Sequence, residues 1–495
     1  MAMSLDGMIS GMGTTDMISQ LMQLEALPQT ALKNKVTVQN KAVSAFQSLN
    51  TRVNSMLTAT RALGTADAWG AMKATATSDA VAVSARPGAT TGAMSFKVTE
   101  LAAAHTVTFT GKTVGSLTDA AGSPVLSGTT IDVLLADGTT TTVTPADRSL
   151  QAVAKTINET ANGAYKASAV QVSPGQYTLQ LTSTATGNGN KFFDATKPVV
   201  PGDPHGTYVP AGLDLNAGAV TRVGSDAALT VGDVPATQYQ ITSSTNTFTD
   251  LLPGITVTVS KKDPAATVTV NVVEDKDSIA SKVQALVDTA NVVLQEVTSQ
   301  SRPKNGPVPA GPLVGDSALR NLSQSILGVV ASGADGLGSL SQVGVTLGKT
   351  GELSFNKQKF LDALAADPVK TRAFFDSYAD VPHAKAKADT FEPGWDVPKG
   401  LSRKLEALAA TMSEGVILPT DSPEKTKEGL LTALINRRTD SIKGLNDQVA
   451  SWDRRLEVRK SALQRQFSGL EVALGKMKSQ SSWLAGQLAG LPSAA

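Results

Sequence analysis

The sequence predicts a multidomain α+β protein in which β-rich head domains are inserted between N- and C-terminal α-helical coiled-coil segments. Three observations predict this. Apolar residues recur at the spacing of a narrow helical seam near both ends of the chain. The 200 residues from 73 to 272 hold 36 Thr, with Val and Gly prominent, a composition that favours strands. Helical periodicity then returns from residue 277 onward. A chain of 495 residues has room for about three domains. The expected partition is an N-terminal segment with a leg helix (1–63), a β-rich head (64–272), a helical body (273–400) and C-terminal helices ending in a coiled-coil leg (401–495). Within the head, a hairpin-helix-hairpin module is expected near 100–187 and a variable lobe near 188–240.

The first leg helix follows Pro28, a residue suited to a first helical turn, and covers 29–63. Ala42, Phe46, Leu49, Val53 and Met56 are spaced alternately four and three apart, which places them on one side of a helix. Some 35 residues at 1.5 Å each give a length of about 50 Å. Gly64 and the polar run to Asp67 close it.

Period-two alternation marks strands in Met94-Phe96-Val98, Val107-Phe109 and Tyr177-Leu179-Leu181. Ile131–Leu135 and Thr139–Thr144 flank Asp137-Gly138, a pair that supplies the positive φ of a tight hairpin turn. Ser149 caps a short helix with Leu150, Val153 and Ile157 on one face. Ser173-Pro174-Gly175 turns between the next two strands. Residues 187–226 are rich in Gly, Pro, Asp and Asn and read as an excursion. Ile255-Val257-Val259 and Val268-Val270-Val272 return to strand.

Asp277 or Ser278 then caps a helix bearing Ile279, Val283, Leu286, Val287, Ala290, Val293, Leu294 and Val297. A proline-rich loop covers 301–316. Helices are expected at 316–332 and 357–377, with a short β element near Val343–Leu353, a linker at 379–400 and a helix from Leu401 through Leu405, Leu408 and Met412. The last helix, capped by Ser422 ahead of Pro423, is the longest. Its seam runs Leu431, Ile435, Arg438, Ile442, Leu445, Val449, Trp452, Leu456, Arg459, Leu463, Gln466, Leu470, Ala473, Met477, Gln480, Leu484, Gln487 and Leu491. Thirteen of these eighteen are apolar, and a seven-residue period held over about eight heptads implies a left-handed supercoil. Such a helix is about 90 Å long and needs a partner along its length. The 29–63 helix is one such partner. The polar seam positions suit register selection more than stability.

Composition narrows the chemistry. Lys plus Arg is 44 and Asp plus Glu is 43, a balance unlike that of a protein built to wrap nucleic acid or coat an anionic membrane. Cys is absent, and the three His (His105, His205, His383) lie on separate segments, which leaves no thiolate or His cage for a metal. Gly11-Met12-Gly13 is half of a dinucleotide fingerprint, but position 16 is Asp and no strand precedes it. No phosphate-binding loop, zinc-protease motif or nucleophile elbow occurs. The acids around Asp263, Glu274, Asp275 and Asp277 read as solvated loop charge. Arg437-Arg438 and Arg454-Arg455, interleaved with Asp440, Asp447, Asp453 and Glu457, read as solvated flanking charge. No enzyme, no cofactor and no metal site is expected. The N-terminus lacks a basic n-region and apolar h-region, and no stretch is long and apolar enough to span a bilayer, so no membrane insertion is expected.

Several stretches resemble the flagellar filament cap proteins, the hook-associated protein 2 family. They are Ile9-Ser10-Gly11-Met12-Gly13-Thr14-Thr15-Asp16-Met17-Ile18 with Leu21–Glu25, the segment 137–187, and Ser244–Thr247 leading to Leu252–Val257. Val343–Val345 with Gly351–Phe355, and Trp452–Leu456 through Phe467 to Ser479–Leu484, complete the match. Departures lie mainly in 188–226.

The resemblance implies export without a cleaved signal through the flagellar type III channel, with the signal in the N-terminal segment. It implies an extracellular place at the distal tip of the flagellum, as a ring of about five subunits. There the protein would retain exported flagellin and promote its polymerisation, and so serve filament elongation and motility. Implied partners are further copies of the chain, flagellin, the hook–filament junction proteins and a flagellar export chaperone. The coiled-coil and oligomer interface would comprise Phe46, Leu49, Val53, Met56, Leu431, Ile435, Ile442, Leu445, Val449, Trp452, Leu456, Leu463, Leu470, Met477 and Leu484. The chaperone would bind Leu470, Leu474, Leu484 and Leu488. An alternative, compatible with capping, is a tip-exposed adhesin for host mucin or glycans residing in 73–272.

Overall fold

The structure, a computed structural model, describes residues 13–135, 139–161, 163, 165–189, 210–215, 219–232, 235–383, 390–418 and 428–489. It divides into two compact units, one formed by Met1–Thr65 with Asp277–Ala495 and the other by Ala66–Lys276. Helices from the N- and C-terminal parts of the sequence thus form one unit, and the β-rich segment that separates them in sequence forms the other.

Two helices open the chain, α1 (Thr14–Glu25) and α2 (Leu27–Leu63). Pro28 occupies the first turn of α2 as its fixed φ favours, and the helix ends at Gly64. The regular helix α1 was read from the sequence only as part of a motif.

The β unit begins with the single turn α3 (Ala66–Trp69), then β1 (Met72–Ala76), β2 (Val81–Ala85), β3 (Gly92–Glu100), β4 (Ala104–Phe109), β5 (Ile131–Leu134) and β6 (Thr140–Val143). It continues with α4 (Leu150–Thr160), β7 (Tyr165–Ser173), β8 (Gln176–Thr186), β9 (Ala219–Arg222), β10 (Ala227–Val231), β11 (Tyr239–Ser243), β12 (Thr247–Thr249), β13 (Ile255–Val259) and β14 (Asp263–Glu274). A five-stranded antiparallel sheet, β1-β14-β3-β10-β11, shares a core with a three-stranded sheet, β12-β13-β2. Phe96, Val98, Leu229, Ile255, Val257 and Val270 fill that core from alternate strand positions.

The second core of this unit contains the expected hairpin-helix-hairpin module. β5 pairs with β6, and β7-β8-β4-β9 form a sheet. Leu150, Val153 and Ile157 of α4 pack with Val107, Phe109, Leu179 and Leu181. Ser149 caps α4, its Oγ accepting from the Ala152 amide at 3.3 Å. Gly175 turns β7 into β8 with φ 72°, a left-handed conformation that glycine adopts without cost. The Asp137-Gly138 turn lies outside the described residues.

The helical unit resumes with α5 (Lys276–Ser301), which buries all eight of its expected apolar positions. α6 (Ser317–Ser332) follows the proline-rich loop, capped by Asp316. The hairpin β15 (Val345–Leu347) and β16 (Leu353–Phe355) precedes α7 (Lys357–Ala366) and α8 (Pro368–Asp376). Here the expected single helix over 357–377 is two. Asp367, in extended conformation at φ −152°, ends α7, and its side chain accepts from the Lys370 amide at 2.9 Å to cap α8, which opens on Pro368. The expected linker at 379–400 is likewise structured where described. β17 (Tyr378–Ala379) pairs with β18 (Val397–Pro398), and Phe391 and Asp396 are buried. α9 (Leu401–Ser413) and α10 (Leu430–Ala489) complete the unit. The expected cap at Ser422-Pro423 lies outside the described residues.

Candidate assembly interface

The two ends of the chain pair with each other. α10 runs antiparallel to α2 and α1, as three polar contacts fix. Arg438 Nη1 donates to Gln39 Oε1 at 2.9 Å, Gln29 Nε2 donates to the Asp453 carboxylate, and Arg459 Nε donates to Glu25 Oε1 at 2.8 Å. α9 lies along the C-terminal half of α2, where the Ser402 hydroxyl donates to Thr60 O at 2.7 Å and the Ser413 hydroxyl to Asn54 Oδ1 at 2.5 Å.

Phe46, Leu49, Val53 and Met56, read from sequence as interface, are fully buried inside this unit. α9 and α10 of the same chain supply their cover, so they stabilise the intrachain pair and present no free face. Each such burial is worth about 1.5–3 kcal/mol. Leu431 and Leu463 are also buried, and Ile435, Ile442, Leu445, Val449, Trp452 and Leu456 are half-buried. The expected pairing of the last helix with the 29–63 helix is thus present over 431–463, where α1 also contributes to the cover.

Beyond Leu463 the same heptad line continues without cover. Leu470, Met477 and Leu484 follow Leu463 at intervals of seven and are 48%, 57% and 56% exposed, with Trp483 at 64%. Leu474 is half-buried. Leu488 belongs to α10 but its side chain, like Leu491, lies outside the described residues. The apolar seam thus continues from Leu463 to Leu484, about 32 Å past its last buried apolar position. Leu21, Leu24 and Leu27, also exposed and not singled out from the sequence as surface, add to this apolar area at the α1 end of the pair.

A buried ionic cluster holds the other end of the helix pair. Arg403 of α9, its side chain only 8% exposed, donates to Asp376 Oδ1 from Nε at 2.8 Å and from Nη2 at 2.6 Å. Its Nη1 donates to Glu406 Oε2 at 2.9 Å and Nη2 to Gly64 O at 2.6 Å. The guanidinium lies 5.0 Å from the Phe391 ring centre and 5.4 Å from that of Tyr378. Arg61 of α2 reaches Glu406 at 3.5 Å and forks onto Glu414 at 2.7 and 3.0 Å. Burial pushes the Glu406 carboxyl up from its ordinary value, against the opposing pull of Arg403 and Arg61. α2, α8, α9 and the β17–β18 segment all meet at this cluster. Sequence reading missed it, since Arg403 and Glu406, three apart in an amphipathic helix that also carries Lys404, look like ordinary surface charge.

Among the described residues no group of three His, Cys, Asp or Glu is placed to hold a metal ion, and no helix is long and apolar enough to cross a membrane. Most of 188–226, the part of the 73–272 region that departs most from the family, lies outside the described residues, namely 190–209 and 216–218.

A long antiparallel helix pair made from both chain ends, locked by buried charge at one end and carrying an uncovered seam at the other, defines a coiled-coil protein with an inserted β unit. The chain belongs to the flagellar hook-associated protein 2 family. Its C-terminal family region matches residues 224–479 and its N-terminal region matches 10–105. The chain is 24% identical over 488 residues to the B-type flagellar hook-associated protein 2 of Pseudomonas aeruginosa strain PAO1, covering 90% of this chain and 98% of that protein. It is 24% identical over 509 residues to the flagellar hook-associated protein 2 of Escherichia coli K12, covering 97% of each. The crystal structure of the D1-D2-D3 domains of the flagellar cap protein FliD from Escherichia coli has the same fold. Its TM-score is 0.54 at 20% identity, covering 80% of this chain and 99% of that one.

Proposed function

We propose that this protein caps the distal, extracellular tip of the bacterial flagellar filament, retains exported flagellin and promotes its polymerisation. The observation that carries the reading is the heptad line that is buried at Leu463 and exposed at Leu470, Met477 and Leu484. A seam of that kind finds its missing cover in helices of neighbouring subunits. Further copies of this chain in a ring, flagellin and the hook–filament junction proteins are the partners that fit. Docking is repeated as each subunit is added, so weak, partly polar contacts suit it better than a sealed apolar core. Before export the uncovered Leu470 and Leu484, with Leu474 and Leu488 on the same stretch of α10, are the place for an export chaperone, which would keep this segment from aggregating.

The test is removal of 468–495, which leaves the buried positions through Leu463 in place. The truncated protein, produced in cells lacking the full-length chain and measured in the culture medium to separate secretion from capping, is expected to leave filaments unformed and flagellin monomer in the medium. Filaments of normal length would contradict the reading.

A further inference from the structure

We infer that the face of α10 turned away from α2 docks an acidic helical protein surface, through a ladder of cations with apolar residues between them. Lys443, Arg454, Arg465 and Lys476 recur every eleven residues. Eleven residues are close to three full helical turns, so the four stand in one line, about 16 Å apart, with only slow angular drift. All four are exposed, and among the described residues none makes a hydrogen bond or ion pair, whereas the seam arginines Arg438 and Arg459 both do. Val458 and Val472 fall on the same face by helical phase and are 68% and 56% exposed. The strip runs over about 50 Å, with Val458 between Arg454 and Arg465, Val472 between Arg465 and Lys476, and the exposed Asp447 on the same face between Lys443 and Arg454.

Charge balance names the occupant. α1, α2 and α10 hold fifteen Lys and Arg against seven Asp and Glu, while the rest of the chain holds 29 against 36. The helix pair of a second copy would therefore be repelled, and an acidic surface attracted. Duplex DNA carries one charge per about 1.7 Å of its axis, far denser than cations about 16 Å apart. Single cations three turns apart, with a valine in two of the three intervals, match instead a partner helix that offers carboxylates at the same three-turn interval and apolar residues opposite Val458 and Val472. The face is distinct from the exposed seam at Leu470–Leu484, so α10 can contact neighbours on two sides.

This inference rests on the filament-tip reading, and the experiment separates the two. Full-length chain carrying a fluorescent tag is bound to sheared flagellar filaments, and decorated ends are counted at about 50 mM and about 300 mM salt, where screening differs strongly. Native protein is expected to decorate ends at low salt and to weaken at high salt. The variant Lys443→Gln/Arg454→Gln/Arg465→Gln/Lys476→Gln is expected to bind at least tenfold more weakly at low salt with little salt dependence. The variant Lys443→Arg/Arg454→Lys/Arg465→Lys/Lys476→Arg is expected to bind normally, and Val458→Ser/Val472→Ser to weaken binding at both salts. Equal binding by the Gln variant and the native chain overturns the inference and leaves the capping reading standing. No decoration by the native chain overturns both. Duplex DNA competing at stoichiometric concentration, or salt-sensitive self-association of the chain lost in the Gln variant, assigns the strip to another occupant and overturns the choice made here.

Discussion

Arg438 joins α10 to α2 through Gln39, with its Nη1 2.9 Å from the amide oxygen, and it also lies 6.0 Å from the Phe46 ring centre and 3.8 Å from the Asp316 carboxylate that caps α6. A charged residue on an apolar seam is thereby given three partners on two other helices, and those partners exist only in one register. Arg438→Ala is expected to cost about 1 kcal/mol in urea unfolding, the size of a partly exposed polar contact. A double-mutant cycle with Gln39→Ala should show coupling of about 0.5 kcal/mol or more, because the two share one hydrogen bond. Additive losses would mean that the pair does not set register.

Arg403 is more deeply committed. Replacing it by Met leaves Asp376 and Glu406 as buried carboxylates without their main counter-charge. The expected loss is about 3–5 kcal/mol. Because the cluster lies wholly in the helical unit, thermal unfolding should split into two transitions, with the β unit melting as before. A single unshifted transition would contradict the assignment.

Gly64 shows why a small residue follows α2. Its φ of −85° is open to any residue, yet an added Cβ would stand 2.5 Å from Arg403 Nη1. Gly64→Ala is therefore expected to cost about 1–3 kcal/mol by displacing the guanidinium. The same substitution made on top of Arg403→Met should cost far less. An equal cost in both backgrounds would point to helix-end effects instead.

Much of this was legible in the sequence and part was not, for physical reasons. The seams of α2 and α10 were visible because side-chain periodicity is a property of one helix alone. The cover over Met56 was not, since α9 reaches that part of α2 across more than 340 residues of chain. Asp367-Pro368 could have been read as a helix end followed by a cap, but the apolar spacing from Phe360 to Phe375 runs across it and favoured one helix. The uncovered line at Leu470, Met477 and Leu484 looked identical in sequence to the covered line before it. Only the length of α1 and α2 relative to α10 distinguishes them.

Glu406 gives the helical unit a pH dependence of known sign. Its carboxyl is held above its unfolded value, so the folded state favours the protonated form. The ionised side chain is then a cost that is absent at acid pH and fully present above the folded value. Stability of the helical unit should fall as pH rises through that interval, and Glu406→Gln, which stays neutral, should remove the decline while leaving the Arg403–Asp376 contact intact. A Glu406→Gln protein with the native pH profile would show that the group does not titrate in this way.

Amide hydrogen exchange along α10 in the dilute full-length chain, repeated after binding to filament ends, tests most directly whether the uncovered seam waits for neighbours. Amides of 431–463 should exchange slowly in both states, and those of 470–487 should exchange rapidly in the free chain and slowly once bound. Protection of 470–487 in the free chain equal to that of 431–463 would contradict the account.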